Sequence, residues 1–230
     1  MVKNNSPYKT YFLEKYLKDH SIDTAEVKNI VEIGAKDCAE SLTFAVIFPN
    51  AHITAFECNP DLISLCKFNS GMSDRITVVG KMVTDKLENT TFYMPDGQPG
   101  MGSMKECLLP GSSVSVETVR MDDYLGDEEI DLLWVDVQGA ELDVLNSFGS
   151  KLKNVKRIYC EMDLLPMRYY DSSSPSEITD KLMDFTIDET YLISKNEVHI
   201  ILTKMSEAYI RPSRDADSPI PGYRFCQEGY

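Results

Sequence analysis

The stretch LLWVDVQGAELDVL, residues 132–145, decides how the rest of the chain is read. An apolar run reaches one aspartate, Asp136, and breaks at Gly139 into a segment with helical spacing. A short apolar strand that turns through glycine into a helix is the strand-to-helix step of a layered α/β domain. A second carboxylate, Glu141, falls in the first turn of that helix. The helix's positive end favours negative charge there, and capping accounts for it.

The same alternation repeats on both sides. Upstream come NIVEIG (29–34) and the helix-like CAESLTFAVIF (38–48), then HITAFE (52–57), PDLISLCKFN (60–69) and RITVVG (75–80). Downstream, VKRIYCEM (155–162) is followed by a Ser-rich loop and a helix over 175–185. Two late strands, ETYLIS and VHIILT, are separated by KNE, the length of a hairpin turn. Residues 85–120 differ: NTTFYM and SVSVETV read as short strands around the loop PDGQPGMGS. Its Gly97, Gly100 and Gly102 mark it as mobile or closely approached. The pattern predicts an α/β, Rossmann-like, doubly wound and mostly parallel sheet, with helices on both faces and a C-terminal antiparallel hairpin strand at its end. Residues 1–27 are expected to be a helical extension carrying a helix over 8–20. Residues 28–205 would form the domain, and 206–230, with three prolines and no periodicity, a tail.

Composition narrows the function. The 230 residues are 43% hydrophobic and 26% charged, ordinary values for a globular chain. A formal charge of −14 disfavours nucleic acid as a partner, because such binders present basic surfaces to phosphates. No apolar run approaches the roughly 18 residues of a membrane span. The first 20 residues lack a signal-peptide pattern, so a cytoplasmic protein with no membrane partner is expected. The six cysteines (38, 58, 66, 107, 160 and 226) contain no C-x-x-C pair and are expected to be reduced.

Ligands of a doubly wound sheet sit outside the carboxyl ends of its strands. Four carboxylates fall at or near those ends: Glu32, Glu57, Asp136 and Glu161. An acidic residue closing the second strand, as Glu57 does, is placed to accept both hydroxyls of a ribose, while Gly34 would let a nucleoside approach the backbone. A pyrophosphate cofactor needs G-x-G-x-x-G, and this chain has one glycine where that has three. Glu32 and Asp37, flanking that turn, would repel a diphosphate. A cationic nucleoside without phosphate fits better, which describes S-adenosylmethionine. A nucleotide-dependent oxidoreductase is the alternative that the missing glycines disfavour. A catalytically silent binding or interaction domain on the same fold is the other.

With VDVQGAELDVL in hand, the chain resembles the FkbM-like family of S-adenosylmethionine-dependent, class I methyltransferases. The resemblance rests on Asp136, Gln138, Gly139, Ala140, Glu141 and Leu142. It extends to the lead-in VSVETVRMDDYL with its turn at Met121, Asp122 and Asp123, to GMGSM around Ser103, and to RIYCEM ending at Glu161. It covers about residues 28–163. Three positions depart from the family pattern: Cys38 where a second glycine is usual, Trp134 where lysine is common, and Gln138 where glutamate is.

The resemblance implies O-methylation of a hydroxyl on a sugar, glycan or other small acceptor. Asp136 and Glu161 would be the catalytic pair, and Glu32, Gly34, Glu57, Met82, Ser103 and Asp136 would hold the cofactor. Oxygen ligands at Asp136, Glu161 and Asp163 could take Mg²⁺ or another divalent cation. Trp134, inside an apolar strand, reads as core, and its replacement of a lysine favours a neutral acceptor. His199, in a strand, reads as a packed residue. Tyr169 and Tyr170 are placed to flank the site's mouth, where aromatic rings stack on sugars or pack on the domain.

Overall fold

The computed structural model describes residues 7–164 and 168–206. The expected tail, apart from Ser206, and Cys226 with it, lie outside the described residues. In chain order the strands are β1 (Asn29–Ile33), β2 (His52–Phe56), β3 (Ile76–Val79), β4 (Met82–Val83), β5 (Thr90–Pro95), β6 (Gly111–Val116), β7 (Thr118–Val119), β8 (Leu132–Val135), β9 (Arg157–Asp163), β10 (Phe185–Ser194) and β11 (Glu197–Lys204). The helices are α1 (Pro7–Asp19), α2 (Ala39–Ile47), α3 (Pro60–Ser70), α4 (Met121–Tyr124), α5 (Glu141–Ser147) and α6 (Pro175–Lys181).

Seven strands form one sheet in the order β10-β11-β9-β8-β1-β2-β3. Strands β3, β2, β1, β8 and β9 are parallel, and β11 runs antiparallel to both β9 and β10. The antiparallel strand is therefore not the sheet's edge, as its place in the sequence suggested. The run Val198–Leu202 of β11 is buried throughout, whereas β10 exposes Leu192 and Ile193. The two-residue turn at Lys195–Asn196 makes them neighbours, and the more apolar strand takes the inner place.

The sheet's two faces carry separate cores. One holds Val144, Leu145 and Phe148 from α5 and Ile178 and Leu182 from α6, packed against Leu133, Val135, Cys160 and Ile200. The other holds Phe44 of α2, Cys66 of α3 and Leu13, Tyr16 and Leu17 of α1. Helix α1 is thus part of the domain's core. Phe12 stacks on Tyr191 with centroids 4.3 Å apart, and the Tyr16 hydroxyl donates to Asp188 at 2.9 Å. Trp134 is core as expected, stacked on Tyr159 at 3.5 Å with the rings nearly parallel. Helix α6 ends at Lys181, well before residue 185; its start is fixed by a Ser174–Glu177 capping box.

The middle segment folds back as an antiparallel β5–β6 hairpin, and β4 pairs in parallel with β7, tying the hairpin's base beside the sheet's carboxyl edge. Cys38 and Cys66 are joined as a disulfide, contrary to the expectation that all six cysteines are thiols. The contact joins the turn before α2 to the middle of α3, a tertiary meeting that residue spacing does not reveal. Cys58, Cys107 and Cys160 are free. Among the described residues no helix is long and apolar enough to cross a membrane.

Candidate functional site

The strand order diverges between β1 and β8, so a crevice opens where their carboxyl ends meet. The backbone holds that meeting closely: the Asp136 amide donates to the Ile33 carbonyl at 3.0 Å, and Gly34 donates to Phe56 at 3.0 Å. Gly34 has φ +93°, and a Cβ there would fall on the Asp136 carbonyl oxygen. Its missing side chain admits the neighbouring strand's backbone, and Gly34 also lines the cavity in which a nucleoside was expected.

One cavity occupies the crevice. Its lining includes Gly34 and Lys36 from the turn after β1, Glu57, Cys58 and Leu62 around the start of α3, and Lys81 and Met82 after β3. Asp136, Val137, Gln138 and Ala140 close it from the β8 side. The roof is Phe92 with Pro99, Gly100, Gly102, Ser103 and Met104 of the hairpin's long loop. That loop is closely approached. Gly100 lies under the Lys36 side chain, and the Phe92 ring fills the space a Cβ on Gly102 would need. Ser103 is buried and donates to the Val137 carbonyl at 3.3 Å, while the Tyr169 hydroxyl donates to the Met101 carbonyl at 3.0 Å.

Glu57 sits on the cavity floor, held by backbone. One carboxylate oxygen accepts from the Lys36 amide and the other from the Asn59 amide, each at 2.6 Å. Asn59 then caps α3 by accepting from the Asp61 amide at 3.0 Å, with Pro60 in the first turn. Burial pushes the Glu57 carboxyl up to about 7, against the lowering effect of those amides, and the charge on Asp136 adds to the rise.

Five of the residues expected to serve the site, Gly34, Glu57, Met82, Ser103 and Asp136, line this cavity. Glu32 does not. It is buried behind the turn, accepts a hydrogen bond from Ser41, and burial holds its carboxyl well above the usual range. Glu161 and Asp163 also stand off the cavity wall.

Glu161 is linked to the wall through Gln138, whose amide donates to Asp136 at 2.8 Å and to Glu161 at 3.1 Å. The amide oxygen, 3.2 Å from the Tyr169 hydroxyl, shares that hydroxyl's proton with the Met101 carbonyl. Gln138 takes φ +57° to do this. A glutamate in that position would offer two carboxylates a third in place of a donor, so the departure at Gln138 is part of the network. Tyr169 is buried, as one of its two expectations allowed, and Tyr170 is exposed.

Asp136, Glu161 and Asp163, expected to share a cation, do not form the group that the fold assembles. Asp163 pairs with the Arg168 guanidinium. Glu161 instead faces His199, directly opposite it on β11, and Glu197.

Glu141 does accept a backbone hydrogen bond, from Gly139 at 3.0 Å, as a residue of the first turn. It is also fully buried with its second oxygen unpartnered, and burial raises its carboxyl to about 8. Lys36, Lys81, Phe92 and Glu197 were missed from sequence, while Gln138 was marked only as a departure from the family pattern and His199 only as a packed residue. Only Gln138, two positions from Asp136, carried a local signal.

Comparison with known proteins agrees with the geometry. The methyltransferase FkbM domain model matches residues 32–192. A 2-O-methyltransferase, NoeI, from Sinorhizobium fredii is 31% identical over 153 residues, covering 57% of this chain and 62% of that protein. The chain thus spans under two thirds of this relative's length. Among solved structures, the N-methyltransferase NodS from Bradyrhizobium japonicum superposes with a TM-score of 0.53 at 13% identity, over 88% of this chain and 99% of that one. A fibrillarin/Nop5p complex superposes at 0.51 with 14% identity, over 87% and 83%. At such identities these structures speak to the fold alone. The match over most of the sheet, with the cavity at its switch point, places this chain in the FkbM methyltransferase domain family.

Proposed function

We propose that this chain is an S-adenosylmethionine-dependent methyltransferase that methylates a hydroxyl on a sugar, glycan or similar small acceptor. The observation that carries the reading is Glu57. Its carboxylate is fixed by two amides on the wall of a cavity that Asp136 also lines.

The residues present suit that cofactor. Glu57 has the charge and rigidity to accept both ribose hydroxyls. Met82 and Leu62 supply apolar surface for a purine, and the absence of a glycine-rich phosphate cradle suits a nucleoside without phosphate. When bound, the cofactor supplies an electrophilic methyl on a sulfonium. The chain's own contribution is alignment in a site roofed by Phe92 and residues 99–104, where positioning can supply effective molarities of roughly 10⁵ M or more. Asp136, with one oxygen held by the Gln138 amide, is placed to orient an acceptor hydroxyl and take its proton. The printed name of NoeI supports oxygen as the methylated atom.

The test is calorimetric titration with S-adenosylhomocysteine and, separately, NAD. Methyl-labelled S-adenosylmethionine is then offered to a panel of sugars and oligosaccharides. Binding of the former alone and label transfer to a sugar are expected. In Asp136→Ala transfer should fall by on the order of 10² or more, with thermal unfolding unchanged. Binding of NAD alone, or full turnover in that variant, would overturn the reading.

A further inference from the structure

Beside the cavity, at the carboxyl end of β9, three side chains from two hydrogen-bonded strands turn towards one another. Glu161 is paired directly with His199, and Glu197 lies two residues before His199 on the same face of β11. One ligand atom from each lies within 4.8 Å of both others. His199 Nε2 is 3.4 Å from Glu161 Oε2 and 3.0 Å from Glu197 Oε1. Ligands about 2.1 Å from a shared ion, at angles between 90° and 110°, stand roughly 3.0–3.4 Å apart. We propose that Glu161, Glu197 and His199 bind a divalent transition-metal ion, of the Mn²⁺, Fe²⁺ or Zn²⁺ kind, at this corner of the sheet.

The second observation is the shell behind the three. Each uses its other atom for an orienting partner. His199 Nδ1 meets the Tyr159 hydroxyl at 2.5 Å, Glu161 Oε1 accepts from the Gln138 amide at 3.1 Å, and Glu197 Oε2 faces Arg168 at 3.4 Å. Metal ligands are held in this way, because an outer hydrogen bond fixes the imidazole tautomer and the carboxylate's direction. Tyr159 is itself fixed by its stack on Trp134, so the shell is rigid. Glu161 and His199 are buried and Glu197 is half-buried, which leaves an entry side at Glu197. One imidazole nitrogen with two carboxylate oxygens suits first-row transition ions better than Ca²⁺ or Mg²⁺, which prefer oxygen alone.

An ion there would pin Glu161 and, through the Gln138 amide, the carboxylate of Asp136. The site needs neither the methyl donor nor an acceptor, so its test is separate from that of methyl transfer. The full chain, stripped with chelator, is titrated with Mn²⁺ while the electron paramagnetic resonance signal of free Mn²⁺ is followed. One tight equivalent per chain is expected, displaced by Zn²⁺. Glu197→Gln and His199→Gln should each weaken it by tenfold or more, while the exposed Glu177→Gln leaves it unchanged. Thermal unfolding of the half-buried Glu197→Gln variant identifies any loss due to misfolding. In wild type Mn²⁺ should raise the melting temperature, and in Glu197→Gln it should not. No binding up to 1 mM, or equal binding in a folded Glu197→Gln, would overturn the proposal and leave the trio as a histidine hydrogen-bonded between carboxylates.

Discussion

Raising the pH from 6 to 8 should tighten S-adenosylhomocysteine binding about tenfold, through Glu57. A ribose hydroxyl donates well to an ionised carboxylate, whereas a protonated one loses acceptor capacity and brings a competing donor. The two amides at 2.6 Å already hold the carboxylate in place, so the pH dependence reports ionisation rather than rearrangement. With burial placing the group at about 7, only about a tenth of the protein carries the ionised form at pH 6, and about nine tenths at pH 8. Apparent affinity scales with the competent fraction, giving about tenfold, or about 1.4 kcal/mol. Calorimetry across that range, in two buffers of different ionisation enthalpy, should also show proton release on binding below pH 7. Methylthioadenosine keeps the ribose and lacks the amino-acid end, so it should follow the same curve. Glu57→Gln should bind more weakly with no pH dependence. A constant Kd in wild type between pH 6 and 8, or a dependence retained in Glu57→Gln, would refute the placement of the ribose on this residue.

Two further outcomes follow from buried groups away from the cavity floor. Glu141, raised from 4.5 to about 8 by burial, favours its protonated form when folded, so the stability it permits is full below 4.5 and is lost as pH rises through 8. Glu141→Gln keeps the acceptor for Gly139 and removes the ionisation. It should stabilise the fold by about 2 kcal/mol at pH 6 and on the order of 4–5 kcal/mol at pH 8.5. Urea unfolding at the two pH values measures this, and an equal effect at both would exclude ionisation as the cause. The Cys38–Cys66 link closes a loop with a sequence separation of 28, for which chain entropy gives about 3–4 kcal/mol. Reduction, or Cys38→Ser, should lower the urea midpoint accordingly. Identical midpoints with and without reductant would mean that the crosslink is absent from the protein in solution.

Much of this was legible in the chain. The alternation of apolar strands with amphipathic helices identified the layers. The run 132–145 located the strand whose end carries Asp136, and the acidic close of the second strand marked Glu57. These are local signals, since burial on both faces of a parallel sheet forces apolar runs, and the strand's end is where a polar residue can next appear. The same reasoning misplaced Glu32. Its position at a strand end was correct, but the side chain points into the packed turn and meets Ser41, a choice made by strand twist and pleat rather than by position.

What the sequence by itself determined about this protein is its class of fold, the family pattern and the two carboxylates, Glu57 and Asp136, that line the cavity. Each depends on neighbours a few residues apart. Tertiary structure alone decided the inner place of β11, the Cys38–Cys66 link, the bridge from Gln138 to Glu161, and the group of Glu161, Glu197 and His199. These depend on the register between strands and the approach of distant turns. Their energies come from burying surfaces that no short stretch of the chain contains.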